Sequence, residues 1–137
     1  MALTLCSNEL SRKLKEAGFD LPVNTYLFDG DTGTNCTHEF TGDTFCNFNS
    51  DMLCISRPTL ALAAQWLREV KGMHVSVAPE YEYIASQWSF ELFSCNKNEW
   101  KLITGFGGYT EHNFALLYGI DNALEYLKEQ NGKHTTV

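Results

Sequence analysis

Two hydrophobic periods divide the chain. Leu10, Leu14 and Ala17 recur at intervals of three and four residues, which predicts a helix over 8–17, with Ser7 placed as its cap and Gly18 placed to end it in the left-handed conformation. Phe19 and Leu21 are positioned to fold back on the last turn, and Pro22 prevents the helix from resuming. Leu60, Ala64, Leu67 and Val70 predict a second helix over 58–71, opening after Ser56 with Pro58 in its first turn and closing at Gly72. Leu117, Ile120, Leu124 and Leu127 mark a third over 111–129, capped by Thr110. Gly119 lies inside that third stripe. Because glycine weakens a helix interior by up to about 1 kcal/mol against alanine, its presence predicts close packing on a neighbour. The tail over 131–137 reads as frayed.

Between the second and third helices the period falls from 3.6 to 2. Met73, Val75 and Val77 alternate with His74, Ser76 and Ala78, and Trp88, Phe90 and Leu92 alternate with Ser89 and Glu91. Trp100, Leu102 and Thr104 alternate with Lys101 and Ile103 beyond the polar turn Asn96, Lys97, Asn98. Residues 87–95 and 99–105 therefore predict an antiparallel hairpin. Residues 24–55, rich in Gly, Thr and Asn, read as short strands joined by turns. The expected class is α+β: a mostly antiparallel sheet of four to six strands covered by three helices, in one domain spanning 1–137.

Size and composition agree with a folded domain. A chain of 137 residues buries roughly two-thirds of its unfolded surface, and eighteen aromatics can build its core without disulfides or metal. No apolar run approaches the roughly 18 residues of a membrane span. The first residues lack the charged and apolar regions of a signal peptide, and five scattered cysteines read as reduced thiols, so a cytoplasmic location is expected.

The net charge is −7, which disfavours nucleic acid as a partner. The charge is also uneven. Residues 16–56 hold seven acids and no Lys or Arg, whereas the remaining ten acids balance the ten bases. Asp29, Asp31, Glu39, Asp43 and Asp51 could form an acidic surface for a basic protein partner. An ordinary solvated, loop-rich region explains the same residues.

Candidate chemistry is sparse. The stretch 29–35 alternates acids as calcium loops do, but Thr34 and Phe40 stand where such a loop needs Gly and a bidentate acid, so a turn is the reading. Cys36, His38, Cys46, Cys54 and His74 lack the paired spacing of a zinc site. No nucleophile elbow, H-E-x-x-H or P-loop nominates a catalytic residue, and no cofactor is expected. The run Gly105, Gly107, Gly108 and Thr110 lies between a strand and a helix, with His112 close by. Exposed N–H groups there could hold an anion or ligand, although a tight connection with no ligand explains the glycines as well. Trp88, Phe90, Trp100, Phe106 and Tyr109 could stack bases, but their alternation fits a core face beneath a helix.

Three segments together, SNELSRKLKEAGFD at 7–20, RPTLALAAQWLREVKGMHVSV at 57–77 and the helix carrying DNALEYLKE at 121–129, resemble small proteins of bacteriophages, prophages and mobile elements of Bacteroides-type gut bacteria. The resemblance covers under half of the chain. It implies a phage ABA sandwich-like domain, an antiparallel sheet between helical layers, and it assigns no catalytic residue. The function expected is a non-catalytic phage or mobile-element accessory protein that binds another macromolecule. Two alternatives stand beside it: a small enzyme or ligand-binding domain with its site at Gly105–Gly108, and an acidic inhibitor that mimics nucleic acid.

Overall fold

The computed structural model describes residues 4–28, 38–80 and 87–135, and in it the chain is α+β. Its described elements run α1 (Asn8–Glu16), β1 (Val23–Phe28), β2 (His38–Cys46), a 3-10 turn (Phe48–Ser50), β3 (Cys54–Ser56), α2 (Leu60–Val70), β4 (Met73–Pro79), β5 (Trp88–Asn96), β6 (Glu99–Tyr109) and α3 (His112–Thr135). All the strand pairings are antiparallel, and the six strands divide into two sheets, β2-β1-β3 and β4-β5-β6. The chain forms two compact units, Met1–Thr59 and Leu60–Val137. No described helix is long and apolar enough to cross a membrane.

In the first unit, the ends of α1 form as the local sequence dictates. Ser7 Oγ accepts the Leu10 N–H at 3.1 Å, satisfying one of the helix's orphan donors. At the other end Gly18 takes φ 97°, its N–H donates to Lys15 O at 3.1 Å, and Phe19 N–H donates to Leu14 O at 2.9 Å. These are the two bonds of a Schellman cap, and they turn Phe19 inward to full burial. Leu10, Leu14, Val23, Leu27 and Ile55 complete the buried apolar set of this unit around Cys6 and Cys54. Lys15 crosses to the loop before β3, where its ammonium donates to Asp51 O at 2.9 Å, Met52 O at 3.3 Å and Cys54 O at 2.6 Å. Asn49 ties the same loop down by donating to Phe19 O at 2.8 Å and accepting the Ser56 N–H at 2.7 Å.

In the second unit, α3 packs on β4, β5 and β6, and α2 packs on β4 and α3. The helix-facing side of the sheet carries Met73, Val75, Phe90 and Leu92, all buried, as the period-2 pattern requires. Gly119 is the point of closest approach. A Cβ there would overlap Val75 Cγ1 and stand 3.2 Å from Phe90 Cγ, so the expected close packing is present. The β5–β6 hairpin closes through Lys97 and Asn98 with φ of 52° and 67°, the two positive values of a type I′ turn.

Three boundaries differ from expectation. Helix α2 begins at Leu60, after Pro58, because Thr59 bridges to Leu5 and the Pro58 carbonyl accepts the Cys6 N–H at 2.8 Å. Helix α3 runs on to Thr135, since fading of an apolar stripe removes packing without breaking a backbone. Strand β6 continues through its glycines to Tyr109, carried by pairing of Phe106 with Phe90 and Tyr109 with Trp88.

Candidate functional site

The glycine run is therefore not a loop. Gly105 and Gly107 lie within β6, and two residues, Gly107 and Gly108, stand between the pairs Phe106–Phe90 and Tyr109–Trp88 where β5 has only Ser89. This is a bulge, and Gly108 supplies the positive φ of 86° that it needs. Its N–H donates at 2.9 Å to Glu80 Oε1, whose carboxylate fills the space where a Gly107 side chain would stand. The backbone donor expected to hold an anion thus holds one of the chain's own. Thr110 and Glu111 form the bend before α3, and the His112 ring packs edge-on to Trp88 at 5.1 Å.

The acids separate by partner. Asp29 and Asp31 lie outside the described residues. Glu39 pairs with Arg57, Asp51 accepts the Leu53 N–H at 2.9 Å, and Asp43 is exposed on β2. Part of the acidic stretch is thus engaged in holding its own fold.

The aromatics divide in a way that alternation alone does not show. Phe90 is core, whereas Phe106 is half exposed at the β6 edge, and Tyr109 stacks on Tyr118 at 5.2 Å, where burial and that neighbouring phenol raise its pKa. Trp100 and Leu102 stand on the opposite face of the sheet from Phe90, 50% and 55% exposed. They share that face with His74 of β4 and Phe93 of β5.

There the sheet forms an open depression of about 370 Å³ lined by Arg68, His74, Phe93 and Trp100. The lower bound for small-molecule sites is roughly 300 Å³. His74 is the hub: its ring lies 6.3 Å from Phe93 at 30° and 5.9 Å from Trp100 at 63°. Burial holds the imidazole pKa below its ordinary value, and the positive Arg68 lowers it further, so His74 is neutral at pH 7. Among the described residues no carboxylate pairs with Arg68, unlike Arg57. Arg68 comes from the last turn of α2, and the tight link through Gly72, at φ 66°, brings that turn beside the start of β4.

Sequence reasoning did not find this cluster, yet it left a signal. Phe93 occupies the polar phase of its strand, in step with Ser89 and Glu91, and a large ring in that phase has no core to enter. The arrangement offers ring faces and one guanidinium. A scan against protein-family models and searches of curated proteins and of solved structures return no match for the chain.

Proposed function

We propose that this chain is a binding protein rather than an enzyme, and that it holds a partner protein against the open face of the β4-β5-β6 sheet. The observation that carries this reading is Trp100, half exposed beside Phe93, His74 and Arg68 on a face that α3 does not cover. A Trp side chain buries roughly 150–250 Å² when fully enclosed. Enclosing the remaining half removes on the order of 100 Å² from water, about 2.5 kcal/mol at 25 cal/mol per Å². That is the scale of an interface hot spot, and Trp and Arg are the residue types that most often supply one.

An accessory role for a phage or mobile element belongs to the same proposal and rests on the three helical segments that resemble such proteins. A cytoplasmic location fits the free thiols of Cys6, Cys46, Cys54 and Cys95. The test is a displayed-peptide library panned on the whole chain and, in parallel, on Trp100→Ala. Enrichment of clones that bind only when Trp100 is present supports the reading, and enrichment indifferent to Trp100, or none at all, removes it.

A further inference from the structure

The geometry points to a specific chemistry for that face: the depression takes an aromatic side chain that stands next to a carboxylate, as in an acidic aromatic segment of a partner protein, with the ring among Phe93, His74 and Trp100 and the carboxylate on Arg68. This deepens the reading above and rests on it.

Ring faces alone do not choose between guests. A cluster of aromatic rings can hold a cation through the ring quadrupoles, or another ring through stacking and apolar burial. Arg68 decides between them. A guanidinium in the lining repels an entering ammonium and attracts a carboxylate, and its planar fork suits a carboxylate's two oxygens. No described carboxylate already occupies it. Its field is felt inside the depression, because it contributes to keeping the His74 ring neutral. A neutral imidazole stacks on a guest ring without adding a second charge. Lys71 lies 5.6 Å over the Trp66 ring three residues beyond Arg68, and with Glu69 between them this end of α2 carries a single net positive charge.

The size agrees. About 370 Å³ is ample for one ring with its attached carboxylate. The surface is open, so the segment that bears the ring can continue across the sheet past Leu102.

The experiment uses three probes with one ring and three charges: N-acetylphenylalanine, its neutral amide, and phenylalaninamide, which is cationic. Binding to the whole chain is followed by the NMR shift of the Trp100 indole N–H, assigned with Trp100→Phe. The expected order is anion, neutral, cation, with the anion favoured over the cation on the order of tenfold. Arg68→Gln, a change at an exposed position, should collapse that order. A flat or reversed order in the native chain, or an order that survives Arg68→Gln, overturns the inference. Trp100-dependent but charge-blind binding sinks this inference and leaves the binding face standing. Absence of a Trp100-dependent shift with all three probes, together with failure of the library, removes both.

Discussion

Gly119→Ala tests the packing on which the second unit depends. In an isolated helix this change is favourable by about 1 kcal/mol, because alanine restricts the unfolded chain and suits the helical backbone. Here the new methyl overlaps Val75 Cγ1 and comes to 3.2 and 3.3 Å of Phe90 ring carbons. Neither neighbour can yield readily. Val75 is β-branched and held in β4 opposite Leu92, and Phe90 is 1% exposed. Overpacking of this kind costs about 1–3 kcal/mol, and the rigidity of both neighbours places it at the upper end. The net result is destabilisation of about 1–2 kcal/mol, a fall in the urea midpoint of about 1 M for a slope of 1–2 kcal/mol per M. A double-mutant cycle identifies the cause. Val75→Ala alone should cost about 1.6 kcal/mol from two lost methyl-sized groups, but much less in the Gly119→Ala background, with about 1 kcal/mol of coupling. A stabilised Gly119→Ala, or strict additivity with Val75→Ala, would refute the close approach of α3 to the sheet.

Lys15→Met removes an ammonium that donates to three carbonyls, and should cost the first unit about 1–3 kcal/mol in denaturant unfolding. Thiol labelling of the native chain at pH 8 should find Cys46 and Cys95 reactive and Cys6 inert, because burial pushes the Cys6 pKa up to about 12 against the opposing pull of Arg57; fast labelling of Cys6 by mass spectrometry contradicts its burial. The folded state binds a proton on His74 less readily than the unfolded chain does, so the stability tied to His74 is complete above its ordinary pKa of 6.5 and is lost as pH falls through that value toward the lower native one. Urea midpoints at pH 7.5 and 5.5 should therefore converge in His74→Gln relative to the native chain.

The parts of the fold that were legible in sequence are those whose information is local. Ser7, Gly18 and Gly72 mark helix ends because caps are satisfied within a few residues, and the β5–β6 hairpin is visible because its turn and both alternations lie within about twenty positions. Gly119 was legible for a different reason: a helix interior tolerates a glycine at that cost only where space is short. What escaped was long-range. The division of six strands into two sheets follows from β3 pairing with β1 across residues 29 to 53, a pairing that no local period records. The Gly105–Gly108 run misled because glycine signals a backbone need without saying which one. Here the need is a bulge opposite Ser89 of β5 and room for Glu80, which lies 28 residues back along the chain, just after β4. The candidate site combines one residue from α2 with one from each strand of the sheet, so it exists only in the folded register.

The acidity of the chain acquires a physical role once its exposed rings are placed. Phe40 and Phe45 on β2, Trp100 and Phe106 on β6, and Phe114 and Tyr118 on α3 all present large apolar area to water, and contacts between copies through such faces are favourable by the same area term that favours a partner. A net charge of −7 opposes those contacts, since every copy carries it. The consequence is a pH dependence of association rather than of folding. Near the sequence pI of 5.0 the repulsion vanishes, and light scattering should rise while far-ultraviolet circular dichroism stays native. Salt at pH 7.5 should raise it in the same direction by shortening the Debye length to about 3 Å at 1 M. Replacing Trp100 and Phe106 with Ser should suppress both effects. Scattering that ignores pH, salt and these two side chains alike would show that the charge does not restrain the rings, and the acids would then need a separate reason to be there.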